Sequence, residues 1–389
     1  MQRSSTSFLK PPSVDFKVGV DTFPTAVEQR GQSMAAKLTQ TEEIERFLNV
    51  VSGMTSDKGN PRTKKIVHRI LTDLCNTIED LDVRPHEFWA AVDYFNDLGQ
   101  HMEAGLLTAG LGLEHFLDLR MDAEDKAASV KQGTPRTIEG PLYVANAPLS
   151  KGSARLDDGT DKGEVLFMHG VVRDLDGKPV ANAIVDVWHA NTKGTYSFFD
   201  KSQSKYNLRR RIQTGADGRY EFRTIVPAGY GIPPDGPTQR LVNELGRHGQ
   251  RPAHIHFFVS APGHRHLTTQ INIAGDKYLY DDLAFATREG LIPKVVRHDE
   301  RKKFTGSSSQ RQCLDRHGRP TDRISVTWTL EDMIERSRFR AGNVYEAAVV
   351  VKEKELNTPF SEIEFDFTLT GIATKDAEDV VHRRRAEAA

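Results

Sequence analysis

From Thr41 onward, apolar positions recur every three or four residues. Ile44, Phe47, Leu48 and Val51 share one helical face behind Thr41, Glu42 and Glu43, which supply an N-cap and first-turn acids. Pro61 opens a second helical pattern carrying Ile66, Ile70, Leu71, Leu74 and Ile78, and Pro85 a third with Phe88, Ala91, Val92 and Phe95. Residues 102–120 predict a fourth helical segment. After about Thr134 the period changes. Residues 165–172, 183–188 and 220–226 have strand composition, with turns at Asp176-Gly177 and Asp217-Gly218. Residues 360–369 alternate, with Ile363, Phe365, Phe367 and Leu369 on one face, and predict a closing strand. Short strands joined by polar turns predict a β-sandwich. The fold class is therefore α+β: residues 39–133 form a helical domain and residues 134–389 a sandwich. Residues 1–38 read as a flexible leader, and the basic, Ser- and Arg-rich stretch 301–345 as an insertion in the sandwich.

Composition narrows the function classes. With 389 residues, 38% hydrophobic and 28% charged, the chain has enough apolar sequence for a large core. The formal charge of −1 does not favour a polyanionic partner such as nucleic acid. The two cysteines, Cys75 and Cys313, lie far apart, which excludes a disulfide framework or a thiolate cluster and fits a reducing, cytoplasmic setting. No apolar run approaches the length of a membrane span, and the N-terminus lacks the profile of a secretory signal.

The densest chemistry lies in Arg251-Pro252-Ala253-His254-Ile255-His256, which reads as a strand start. Side chains two apart on a strand point the same way, so His254 and His256 would aim at one spot, half of a transition-metal site. A second pair, His264 and His266, follows Pro262-Gly263 and reads as turn residues. A site of four imidazoles would also call for a carboxylate at a set distance, and none is in place. Tyr196 and Tyr230 sit in stiff loops and are candidates for the remaining ligands, since phenolate oxygen with imidazole favours Fe(III). A tyrosine in such a loop also serves as a hydrogen-bonded wall residue, and the residues alone leave both readings open. Trp188 and His189 read as packing or loop-orienting residues, His248 as a structural hydrogen-bonding residue, and Arg209 to Arg211 as partners of nearby acids.

Three motifs stand in order: Gly-x-Tyr-Ser-x-Phe-Asp (194–200), Pro-x-Gly-Tyr-Gly-x-Pro-x-x-Gly-Pro (227–237) and Gly-Arg-His-Gly-x-Arg-Pro-Ala-His-Ile-His (246–256). With the blocks 134–143, 206–212 and 267–272, they closely resemble the intradiol ring-cleaving dioxygenases. The likeness runs from about Ile44 through Pro293, resumes near Val351, and within the family is greatest to members acting on catechol. It implies an N-terminal helical dimerisation domain and a catalytic sandwich that holds one non-haem Fe(III) per subunit. By position it implies Tyr196, Tyr230, His254 and His256 as iron ligands. Tyr230 would be the ligand that leaves to accept a substrate proton, with Arg251 and Gln270 as catalytic partners. Pocket walls fall on Leu106, Ala109, Ile138, Pro141, Leu142, Leu283 and Ala284.

The implied reaction is cleavage of catechol by O2 to cis,cis-muconate in aromatic catabolism. Two positions depart from common family patterns: proline often stands where Ala109 is, and phenylalanine where Leu283 is. The stretch from Leu106 to Ala109 lacks the acid usual in hydroxyquinol-cleaving members, which favours unsubstituted catechol over chlorocatechol or hydroxyquinol. The resemblance also implies a homodimer joined through the helical domain, where some members of the family hold a phospholipid at the interface. A non-catalytic sandwich that engages partners through its helices is the reading from a different class.

Overall fold

The computed structural model describes residues 37–298 and 359–372. Almost all of the expected leader, the whole 301–345 insertion and Cys313 lie outside the described residues. The chain divides into two compact units between Ala91 and Val92. In the first, a 3₁₀ turn (Leu38–Gln40) precedes α1 (Glu42–Val51) and α2 (Pro61–Asp80). The Thr41 hydroxyl accepts from the Ile44 amide, and Asn60 accepts from Arg62 and Thr63, so side chains satisfy the open amides at both helix starts. Phe47, Val50, Ile66, Ile70 and Leu74 are exposed. α3 (Pro85–Gln100) runs across the division.

After α3 come two helices where the sequence predicts one: α4 (Ala104–Gly110) and α5 (Leu113–Ala127). The break falls at Gly112, whose φ of 72° lies in the left-handed region. A side chain there would also meet the Phe285 ring, with Cβ at 3.1 Å. Among the described residues ten strands follow first: β1 (Leu149–Lys151), β2 (Ser153–Arg155), β3 (Val165–Asp174), β4 (Ile184–His189), β5 (Arg209–Gln213), β6 (Arg219–Ile225), β7 (Tyr230–Gly231), β8 (Gln250–Arg251), β9 (His254–Ser260) and β10 (Leu267–Asn272). α6 (Pro237–Glu244) lies between β7 and β8. β11 (Val296–His298) and β12 (Phe360–Glu364), antiparallel neighbours, come next, and β13 (Phe367–Leu369) closes the set.

One sheet runs β1-β5-β4-β9-β10 and another β11-β12-β3-β6-β2, with β13 also paired to β3; β7 and β8 form a small separate pair. The core holds Val185, Val187, Ile212, Ile255, Phe257, Val259 and Ile271 from the first sheet. Leu166, Met168, Val172, Phe222, Ile363 and Phe367 come from the second. Two sheets packed through their inner faces make the predicted sandwich. The predicted closing strand is interrupted at Phe365 and Asp366, where the Asp366 carboxylate accepts from the Val171 amide at 2.7 Å in place of a backbone partner. The Phe365 carbonyl lies so close over Gly170 that any Cβ there would overlap it.

The outer face of the first sheet is also buried. Trp188, His254, His256, Phe258 and Gln270 point away from the core yet are almost inaccessible. The segment before β1 covers part of this face: the Thr137 amide donates to the Thr268 carbonyl, and Tyr143 packs on both Trp188 and Phe258. A buried outer face that carries imidazoles and an amide is where this fold places its chemistry.

Candidate metal centre

Strand alternation fixes half of the site. On β9, Ile255, Phe257 and Val259 enter the core, so His254 and His256 share the opposite face. Cross-strand register then puts Trp188 and Gln270 on either side of His256, and Asn272 beside His254. Trp188 stacks flat on His256, with ring centroids 4.9 Å apart and planes 4° apart. The two Nε2 atoms lie 3.0 Å apart. His254 Nδ1 is 2.6 Å from the Pro252 carbonyl, so Nδ1 carries the proton and Nε2 presents its lone pair to the site. Burial and then Arg251 push the His254 pKa down to about 3. Burial and His254 take His256 well below its ordinary range. Both rings are neutral near pH 7, as metal ligands must be.

Loops bring the phenols. After β4, Asn191 Oδ1 accepts from the amides of Lys193 and Thr195, folding the chain back, while Asp200 accepts from the Thr195 hydroxyl at 2.7 Å. Gly194 turns this loop with φ 76°, and a Cβ there would stand 2.5 Å from Tyr230 Cβ. Only glycine allows the two tyrosine-bearing segments to approach this closely. Tyr230 itself is placed by β7, where it pairs with Arg251 of β8. Tyr196 Oη then lies 3.4 Å from Tyr230 Oη and 3.4 Å from His254 Nε2. Burial, reinforced by neighbouring Tyr230, raises the Tyr196 pKa well above 10, against the pull of Arg251 and Arg209. A phenolate in this position therefore calls for a further cation.

The structure thus brings the four predicted ligands together. Four donor atoms linked by contacts of 3.0–3.4 Å have the spacing expected around an ion with metal–ligand bonds of about 2.0–2.2 Å. Among the described residues, no group of three or more His, Cys, Asp and Glu is arranged to hold a metal. A metal held here would depend on the phenol oxygens. Their hardness, alongside two imidazoles, fits iron.

Arg251 lies beside this cluster, 4% exposed, with Nη1 3.1 Å from His254 Nε2. Its side chain is buried and paired with an equally buried Asp282 carboxylate. Burial opposes its charge, but the Asp282 carboxylate more than offsets this and raises the guanidinium pKa. Nη2 donates to Gln270 Oε1 at 3.0 Å, and Gln270 Nε2 donates to Asn272 at 2.8 Å, so both predicted catalytic partners belong to one network. Asp282 belongs to no motif, and sequence reasoning missed it.

The predicted wall residues fall into separate groups. Ala109, Ile138 and Ala284 pack with Ala286. Leu283 packs with Ile232 and Val242, with Leu106 against them. Leu142 joins Tyr143 and Tyr230 against Trp188, Tyr196 and Phe258. Pro141 is exposed and lines a cavity of about 260 Å³ with Gly105, Thr108, Leu113, Glu114, Leu117 and Gly140. The chain at Gly140 passes His256, for a Cβ there would touch Cε1 at 3.8 Å.

The other candidates are structural. His264 engages the carbonyl of Pro262 in its own turn. His189 bridges the Ala190 carbonyl and the Thr224 hydroxyl, and His248 Nδ1 accepts from the Gln250 amide. The arginine run departs from expectation. Arg209 is held by the Ser197 hydroxyl and carbonyl, Arg210 by the Arg155 carbonyl and Arg211 by the Ala147 carbonyl, rather than by acids. Arg209 also lies 5.7 Å from the centre of the Tyr196 ring.

Known proteins resemble this chain along both its helical and its strand-rich parts. A family model described as "Dioxygenase" matches residues 138–326, and one described as "Catechol dioxygenase N terminus" matches residues 60–129. The chain is 62% identical over 261 residues to catechol 1,2-dioxygenase 2 of Acinetobacter lwoffii, covering 67% of this chain and 95% of that protein. It is 58% identical over 270 residues to catechol 1,2-dioxygenase of Acinetobacter baylyi, covering 69% and 87%. Proteins named hydroxyquinol and chlorocatechol 1,2-dioxygenase match at 35% and 33% identity. The solved structure of catechol 1,2-dioxygenase from Acinetobacter sp. ADP1 inhibited by bound mercury superposes with a TM-score of 0.73 at 48% identity, covering 90% of this chain and 99% of that one. The chain belongs to the intradiol dioxygenase family.

Proposed function

We propose that this chain cleaves catechol with O2 to cis,cis-muconate, using one ferric ion per subunit held by Tyr196, Tyr230, His254 and His256. The observation that carries this reading is the meeting of two phenol oxygens and two neutral imidazole nitrogens within 3.0–3.4 Å contacts. Bound there, iron supplies the Lewis acidity that keeps phenolates charged and draws electron density from a bound diol, making its ring reactive towards O2.

The two tyrosines differ in burial. Tyr196 is 4% exposed and held in a hydrogen-bonded loop, whereas Tyr230 is half-buried. Tyr230 is therefore the phenol free to swing away, and its Oη takes one catechol proton. Arg251 Nη1 meets negative charge that builds on the substrate, and Gln270 steadies the guanidinium through Nη2. The apolar groups around Ala109, Ile138, Leu283 and Ala284 hold the ring and exclude water.

Gly194→Ala tests the approach of the two loops. Its Cβ would overlap that of Tyr230, in a backbone conformation costing about 1–2 kcal/mol for a residue with a side chain. The variant is expected to hold less iron and to turn over catechol more slowly. Wild-type iron content and rate would show that this close approach is not needed.

The absence of an acid from Leu106 to Ala109, and the higher identity to relatives named for catechol, support unsubstituted catechol as the substrate. Initial rates with catechol, a chlorocatechol and hydroxyquinol test this: kcat/KM should be highest for catechol, and a higher value for either alternative would reassign the substrate. The exposed apolar residues of α1 and α2 support a homodimer joined through residues 39–133, and an apolar surface of this kind suits the acyl chains of a phospholipid. Among the described residues, no helix is long and apolar enough to cross a membrane. With only two cysteines, a cytoplasmic setting is the simplest.

A further inference from the structure

Asp282 makes four hydrogen bonds from a buried carboxylate. Oδ1 accepts from Arg251 Nε at 3.0 Å and from the Ala284 amide at 3.1 Å. Oδ2 accepts from Arg251 Nη2 at 3.1 Å and from the Ala286 amide at 3.2 Å. The Arg251 and Asp282 side chains are 5% and 1% exposed. A carboxylate that takes Nε and Nη2 side-on fixes the plane of the guanidinium as well as its position. With Gln270 also on Nη2, Nη1 is the edge left facing His254 Nε2 and the cluster of donor atoms. The same carboxylate fixes the wall, because the Ala284 and Ala286 amides belong to the loop that carries Leu283 and Ala284. The Leu283 amide in turn donates to the Gln250 carbonyl, next to Arg251.

We infer that Asp282 is a positioning residue for the reaction proposed above, setting which edge of Arg251 faces the diol and where the wall from Leu283 to Ala286 stands. A merely structural ion pair would also be buried and bidentate, so the test must separate the two roles. It uses Asp282→Asn, Arg251→Gln and the double variant, each loaded with iron. The measurements are kcat, KM, iron content, catechol affinity without O2 and thermal midpoint. Asparagine keeps one accepting oxygen but turns an NH2 towards Arg251 Nη2 and the Ala286 amide, donor against donor.

Asp282→Asn is expected to keep its iron, to lose about 100-fold in kcat, and to bind catechol more weakly through the displaced wall. The double variant should match Arg251→Gln in kcat, because the electrostatic effect of Asp282 runs through Arg251. It should also melt a few degrees higher than Arg251→Gln, which strands a buried carboxylate. A kcat for Asp282→Asn within about twofold of wild type, or kcat losses that add in the double variant, would overturn the inference. If Asp282→Asn does not fold, the other two variants decide: a further drop in kcat or midpoint in the double variant counts against the role. A wild-type protein that failed to cleave catechol with iron bound would sink the proposed function instead, so the two failures are distinguishable.

Discussion

Replacing Tyr196 by phenylalanine is expected to leave a folded chain that no longer retains iron or cleaves catechol. The side chain sits 4% exposed, packed with Trp188, Ala190 and Phe258, and phenylalanine preserves that packing. What is lost is Oη, the atom 3.4 Å from both Tyr230 Oη and His254 Nε2. Even partners one layer out from a metal typically cost roughly 10- to 100-fold in affinity, so losing an anionic ligand should cost at least that much. His256→Ala removes one of the proposed ligand nitrogens and should also empty the site. It additionally opens a void against the stacked Trp188 ring, so some thermal stability goes with it. Metal analysis and thermal melting on both variants separate the effects. Undiminished muconate formation by either variant would remove that residue from the ligand set.

Tyr230→Phe should behave differently. The three buried donors, Tyr196, His254 and His256, would remain to hold part of the iron, while the proposed acceptor of a catechol proton is gone. General-base assistance is worth roughly 10²–10⁴-fold, and a loss at the lower end of that range or beyond is expected in kcat/KM. The slowed step should be formation of the bound dianion, read by rapid mixing with catechol in the absence of O2. Half-burial of Tyr230, against the near-complete burial of Tyr196, is the structural basis for giving the two tyrosines separate roles. A substrate-binding rate equal to wild type would remove Tyr230 from proton transfer, even if iron retention fell.

Local pattern made the architecture legible. A helix cap at Thr41, Pro61 and Pro85 at helix starts, and Asp-Gly turns between strands all act over a few residues, which a sequence displays directly. The pairing of His254 with His256 was legible for the same reason, since period two puts both on one strand face. The tyrosines were not legible in that way. Tyr196 is 34 residues from Tyr230 and 58 from His254, and no local rule links positions so far apart. Family motifs supplied that link.

Asp282 had neither kind of signal. Its partner Arg251 is 31 residues away, and an aspartate in Tyr280-Asp281-Asp282-Leu283 resembles any loop acid. The split between α4 and α5 turned on a single left-handed glycine within an otherwise helical pattern. The arginine run was misjudged because carbonyls of Ser197, Arg155 and Ala147, brought up from segments distant in sequence, accept its hydrogen bonds, which local pattern does not display.

The visible absorption spectrum of the purified, iron-loaded chain, recorded without O2 before and after catechol is added, tests the four-ligand ferric centre most directly. A wine-red phenolate-to-Fe(III) band that shifts when catechol binds is the expected result. A colourless protein, or a band that catechol leaves unchanged, would contradict it.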